Sequence, residues 1–199
     1  MKFEIKLFNF FGTPVNLKLW FLLLFAFLDP SYVVAIFLSI LAHELAHGYV
    51  AHKLGYYVHN IYVDLFNGAA EMDISQIHEK DSIKIVAAGP LINLFLGLVS
   101  IFAYSVIPDK FIFDFLIVNS LLFIFNILPI YPMDGGRLLR DGLYLINRNR
   151  RKSRIISSYV SLIFSILLLI FCLYTSSIIM GIFSVLFIYF AIKELGWIS

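Results

Sequence analysis

Apolar residues along this chain fall in long runs, not in the short alternations of an ordinary soluble domain. Six stretches are apolar enough to be read as membrane helices: 15–28, 31–54, 83–107, 111–130, 155–173 and 176–195. A helix needs about 20 apolar residues to cross the hydrocarbon of a bilayer. The first stretch is short and carries Lys18, whose ammonium can snorkel to the interface. Turn-forming residues separate the runs: Asp29-Pro30-Ser31, Pro108-Asp109-Lys110 and Thr175 to Ser177. The segment 55–81 breaks the pattern. It is polar, its Tyr56-to-Asp64 part is β-prone, and Asn67-Gly68 is a turn signal, so a short strand pair is expected there.

The expected fold class is therefore an all-α polytopic membrane protein, with six transmembrane helices and a short β-like cytoplasmic or interfacial segment between the second and third. Composition agrees: 61% of the 199 residues are hydrophobic, 14% are charged, and the mean hydropathy is +0.90. Soluble domains are roughly half apolar and about a quarter charged. Basic residues sort by side. Lys2, Lys6, Lys53, Lys80, Lys84, Lys193 and the seven between Arg137 and Arg154 fall on one side of six spans, against Lys110 alone on the other. The positive-inside rule then places both termini in the cytoplasm. The basic loop 137–154 is read as a topology and headgroup-binding determinant. Neither a cleavable leader nor a nucleic-acid surface is indicated. The single cysteine, Cys172, lies in an apolar run and excludes an internal disulfide framework.

Chemistry enters in the second stretch, as His43-Glu44-Leu45-Ala46-His47. At about 100° per residue, the two histidines lie about 40° apart on one helix face, and Glu44 flanks that face. This is the spacing for two imidazoles on one zinc with a carboxylate within reach of the metal's water. Each ionisable group in a span costs roughly 2.5–3.5 kcal/mol unless it is paired or metal-bound. Three such groups within five residues argue for a site. His52 faces the opposite side of the helix, and His59 and His78 lie in the polar connector. A catalytic zinc usually has three protein ligands, and the candidates for the third are Asp134, Glu71, Asp73 and Asp64. Asp134 is the best placed. Pro129 and Pro132 break the fourth helix before it, Gly135-Gly136 allow a tight turn after it, and the topology puts it at the depth of the histidines.

Three motifs together resemble the site-2 protease family of intramembrane zinc metalloproteases, and within it the stage IV sporulation protein FB-like group. They are His43-Glu44-x-x-His47, Ala88-Gly89-Pro90-x-x-Asn93, and Asn126-x-x-Pro129-x-x-Pro132-x-Asp134-Gly135, spanning about 31–136. The resemblance implies zinc (Zn2+) on His43, His47 and Asp134, Glu44 as the catalytic base, Asn126 in contact with substrate, and Asn93 as a structural helper. It implies a transmembrane protein as substrate, the lipid bilayer as surroundings, a regulatory membrane protein as a further partner, and a prokaryotic cell membrane as location. Residues 1–199 are read as a single membrane-embedded metalloprotease domain without a PDZ or CBS domain. The connector Leu65-to-Glu71 is expected to hold extended substrate by strand addition. The readings from other classes are a metal ion transporter and an inactive membrane scaffold.

Overall fold

The computed structural model describes residues 4–64, 69–72, 77–175 and 178–196. The chain forms two compact units, Met1–Ile124 and Phe125–Ser199.

The first unit begins with strands β1 (Glu4–Phe10) and β2 (Thr13–Lys18), followed by a 3-10 helix, Leu19–Ala26. Helix α1 (Pro30–Lys53), strands β3 (Val58–Val63) and β4 (Ala69–Met72), and helix α2 (Glu79–Val106) come next. Helix α3 (Lys110–Ile127) ends the unit and runs on into the second. The four strands form one sheet in chain order: β1–β2 antiparallel, β2–β3 parallel, β3–β4 antiparallel. Joining the parallel pair requires a crossover, and the 3-10 helix with α1 supplies it. Val15, Leu17, Ile61 and Val63 from the sheet share a core with Val33, Ile40 and Ala51 of α1. Gly48 lets the helix come close, since a Cβ there would sit 2.8 Å from Ile61 Cδ1.

The first apolar stretch is not an α-helix, which corrects one of the six expected spans. Its start alternates: Val15 and Leu17 are buried and pair with Ile61 and Val63 across the parallel ladder. Asn16 donates from Nδ2 to Asn60 Oδ1 at 3.3 Å. Lys18 donates to Glu4 Oε2 at 3.0 Å and lies over the Tyr62 ring, 4.3 Å from its centroid. These partners sit 14 to 46 residues away, so the local pattern did not reveal them. Phe11 stacks on His52 near the end of α1, whereas Phe21 meets Phe37 edge-on in its first half. The stretch therefore runs antiparallel to α1 as a strand and a 3-10 helix.

Among the described residues, four helices are long and apolar enough to cross a membrane: α1, α2, α3 and Arg150–Thr175. The strand pair expected in the connector is present as β3 and β4, while the turn Asn67-Gly68 and Asp73 lie outside the described residues. Helix α2 shows how these helices are arranged. Leu91, Phe95, Leu98 and Phe102 form an exposed stripe, and Gly89, Asn93, Gly97 and Ser100 are turned inward. An apolar outside over a small and polar inside suits a lipid surrounding. At the start of α1, Asp29 accepts from Ser31 N (2.9 Å) and from Lys110 Nζ (3.0 Å), and Lys110 also reaches Asp114 (2.7 Å).

The second unit contains α4 (Asp134–Asn147), α5 (Arg150–Thr175) and α6 (Ile178–Leu195). Helix α4 corrects the expected loop over 137–154. Arg137, Arg140, Asp141 and Tyr144 recur at helical spacing beside Leu138, Leu139 and Leu143, an amphipathic period hidden under the basic charge. Arg148, at φ 55°, ends α4 in the left-handed region, and α5 starts two residues later. Helix α6, the sixth expected stretch, packs on α5, with Gly181 against Cys172 Sγ.

Candidate metal centre

The second half of α1 buries three ionisable residues. His43, Glu44 and His47 are 6%, 5% and 7% exposed. One helical turn apart, the two imidazoles meet edge to face, and their Nε2 atoms lie 3.1 Å from each other. Each ring is held from behind by α2. His47 Nδ1 is 2.7 Å from the backbone carbonyl of Ile85, and His43 Nδ1 is 2.5 Å from Asn93 Oδ1. A carbonyl only accepts, so His47 carries its proton on Nδ1 and presents a lone pair at Nε2.

Room for the pair comes from Gly89. A Cβ at this position would fall on His47 Nε2 and within 2.6 Å of His43 Nε2. No side chain larger than hydrogen fits there, which gives the Gly89-Pro90 step a physical reason.

This donor set fits zinc. Zinc takes imidazole nitrogens at about 2.0–2.1 Å in tetrahedral geometry, which sets two such nitrogens about 3.3 Å apart. The observed 3.1 Å is close to that spacing. Both Nδ1 atoms are held by oxygen acceptors, the outer contacts that orient metal-bound histidines. The single cysteine is in α5 and is buried there, so the available donors are nitrogen and carboxylate oxygen, a set that zinc accepts.

The other histidines play no part in this pair. His52 is stacked under Phe11, His59 is exposed on β3, and His78 precedes α2 on the surface. Of the rival third ligands, Glu71 is exposed and accepts from Asn60 Nδ2 at 3.0 Å. Asp64 directly follows β3 and is half-buried.

In the second unit, Asp134 is the first residue of α4 and is 7% exposed. Its carboxylate stands at a helix N-terminus, where backbone N–H groups favour negative charge. The preceding loop is tightly folded: Met133 N donates to Ile130 O (2.8 Å), and Tyr131 N donates to Ser161 Oγ of α5 (2.9 Å). Gly135 and Gly136 lie against this loop. A Cβ on Gly135 would strike the carbonyl oxygens of Leu128 and Ile127, and one on Gly136 would lie 2.6 Å from Tyr131 N. Burial pushes the Tyr131 phenol above its ordinary range, and the Glu194 carboxylate adds to this. Asn126 is half-buried near the end of α3.

Two residues behind the histidine pair were not singled out in the sequence. Ser39 and Asn119 are both fully buried and bonded to each other, Asn119 Nδ2 to Ser39 Oγ at 2.8 Å. The available signal was an asparagine in an apolar run, seven residues before Asn126 and so on the same face of α3.

The profile of Peptidase family M50 matches residues 31–111 and 103–171. Zinc metalloprotease MJ0392 of Methanocaldococcus jannaschii is 29% identical over an alignment of 210 positions that covers 98% of this chain and 61% of that protein. A putative zinc metalloprotease of Synechocystis, sll0528, is 33% identical over 130 residues, covering 63% of this chain and 34% of its own length. Stage IV sporulation protein FB of Bacillus subtilis is 28% identical over 110 residues, 54% of this chain and 38% of that one. This chain thus spans less than two thirds of the length of these relatives. The solved structure of the site-2 protease from Methanocaldococcus jannaschii superposes with a TM-score of 0.71 at 27% identity, covering 96% of this chain and 95% of that one. With the family profile across most of its helices and a solved site-2 protease superposing on nearly the whole chain, this chain belongs to peptidase family M50, the site-2 proteases.

Proposed function

We propose that the protein is an intramembrane zinc endopeptidase that hydrolyses a peptide bond in or near a transmembrane helix of another membrane protein. The observation that carries this reading is the pair of buried Nε2 atoms 3.1 Å apart, each ring held at Nδ1 by an acceptor. His43, His47 and Asp134 would hold the metal, with Asp134 supplying the carboxylate that two histidines leave wanting. When bound, zinc supplies Lewis acidity that lowers the pKa of water toward about 7 and polarises a carbonyl.

The chain's own residues would do the rest. Glu44, buried beside His43, takes the proton from the attacking water and returns it to the leaving nitrogen. Asn126, with an amide donor near the end of α3, binds the substrate backbone. A substrate helix hides its carbonyls in its own hydrogen bonds, so it must unwind locally before cleavage. Segments with Gly, Asn or Pro open most easily.

For topology, the basic residues favour both termini and the metal site on the cytoplasmic side. The stretch 13–28 runs antiparallel to α1, and α6 returns along α5. Six passes through the bilayer are therefore compatible with four long apolar helices and two other segments.

Zinc content of the detergent-purified protein tests the site. Wild type should hold about one zinc per chain, in line with a single catalytic site. His43→Ala and Asp134→Asn should each lose it. Loss in His43→Ala alone would move the third ligand to Glu71, Asp73 or Asp64. Wild type free of zinc after mild purification would reject the enzyme reading.

A further inference from the structure

Behind His43 runs a chain of amides linking α1, α2 and α3, and the direction of every bond in it is fixed. Asn93 and Asn119 are both fully buried. Asn119 Nδ2 lies 2.9 Å from the backbone carbonyl of Phe115 and 2.8 Å from Ser39 Oγ. A carbonyl cannot donate, so the nitrogen of Asn119 must face it. The Oδ1 of Asn119 is then the acceptor for Asn93 Nδ2, at 2.9 Å. Asn93 Nδ2 has a second, longer contact with the Ser39 carbonyl at 3.3 Å. With its nitrogen so committed, Asn93 turns Oδ1 toward His43 Nδ1. That oxygen only accepts. His43 must therefore carry its proton on Nδ1 and present the Nε2 lone pair on the side of His47.

We propose that Asn119 is a positioning residue that selects the metal-binding tautomer of His43, acting through Asn93 from a third helix. The proposal rests on the reading of His43 as a metal ligand. His47 is set directly by the Ile85 carbonyl, so it cannot switch. Asn93, by contrast, is a side-chain amide that works equally well in either orientation unless something chooses between them. Without Asn119 Oδ1, one 3.3 Å contact is all that opposes a flip. A flipped Asn93 would present Nδ2 to His43 Nδ1, draw the proton to Nε2, and put a hydrogen where the metal must bind. Simple helix packing would need none of this: a leucine fills the same volume.

The test uses the full chain in detergent, metal-free, at a pH where both imidazoles are neutral. Nitrogen NMR of labelled histidine reads the tautomer, with His43 assigned by the signals lost in His43→Gln. Wild type should show His43 protonated on Nδ1. Asn119→Leu should show a substantial Nε2-protonated fraction, and its zinc affinity, measured by chelator competition, should fall about 10-fold to 100-fold, as losing an outer-shell partner does. Asn119→Asp keeps an acceptor oxygen for Asn93 and should restore both. A folded Asn119→Leu protein with the wild-type tautomer and affinity overturns the proposal, as does Asn119→Asp behaving like Asn119→Leu. If Asn119→Leu does not fold, the smaller Asn119→Ala takes its place with the same expected loss of tautomer and affinity, and a proton on His43 Nε2 in wild type overturns the relay in either case. Failure of the metal reading looks different: no zinc in wild type, yet a tautomer that still responds to Asn119.

Discussion

Helices α1 and α5 are similar in length, 24 and 26 residues, and both are apolar enough to cross a membrane. Both bury polar groups and expose apolar ones. They differ in where the buried groups find their partners. Along α5 two buried serines bond back to their own helix, Ser157 Oγ to Arg154 O and Ser165 Oγ to Ser161 O, while Ser153 at its start bonds to the residues just before it, Asn149 O and Asn147 Oδ1. In α1 the partners are on other helices, His43 with Asn93, His47 with Ile85, and Ser39 with Asn119, 38 to 80 residues away. A hydroxyl that returns to its own helix leaves a small, smooth face for packing. Imidazole, carboxylate and amide groups carry more polar atoms than their own helix can satisfy: Asn119 bonds once to Phe115 O of its own helix and must find Ser39 and Asn93 for the rest. Such groups require neighbouring helices to be built around them, so polar burial alone does not mark a site, whereas polar burial that reaches across helices does.

The largest effect expected from this difference is on α1. Glu44→Gln keeps the shape of the side chain and removes the base. Cleavage of a co-expressed single-span membrane protein should fall about 10²–10⁴-fold, the usual worth of a general base. Zinc content should stay at the wild-type level. Near-normal cleavage would reassign the base to another group and leave the metal site as it stands.

Gly89→Ala tests the same region from the α2 side. Its added carbon would meet both ligand nitrogens at once, and neither ring can retreat without leaving its Nδ1 acceptor. Zinc binding should be lost while helix content by circular dichroism is kept. Full zinc occupancy in this variant would mean that the pair has more freedom than its hydrogen bonds suggest.

Legibility followed the same division. His43, Glu44 and His47 were readable because helix spacing is local and charge in an apolar run is costly. Asp134 stood out through its prolines and glycines, whose backbone demands are local too. The stretch 15–28 misled because Val15 and Leu17 take their partners from β3, beyond the whole of α1. Helix α4 was hidden by a count of basic residues made without their periodicity. Asn119 was passed over because an amide in a membrane-like helix acquires meaning only when its neighbours on α1 and α2 are known.

Within α5, Ser161 and Ser165 sharpen the comparison. Ser161 accepts the backbone N–H of Tyr131, three residues before Asp134, at 2.9 Å. Ser161→Ala would leave that donor without this acceptor, at a cost of about 1–3 kcal/mol. The thermal midpoint should fall measurably in one detergent at fixed zinc, with the loop before Asp134 the first to loosen.

Ser165 is equally buried but donates only to Ser161 O, a carbonyl of its own helix. Alanine removes donor and hydroxyl together, so no polar side-chain atom is stranded, and alanine is the better helix former by a few tenths of a kcal/mol. The lost hydrogen bond, worth about 1 kcal/mol, is partly offset. Ser165→Ala should therefore shift the midpoint less than Ser161→Ala and leave zinc content and cleavage unchanged. Equal shifts in the two variants would mean that α5 contributes through packing volume alone. The contact with Tyr131 would then carry no special weight, and the contrast between self-satisfied and cross-helix polar groups would hold for α1 but not within α5.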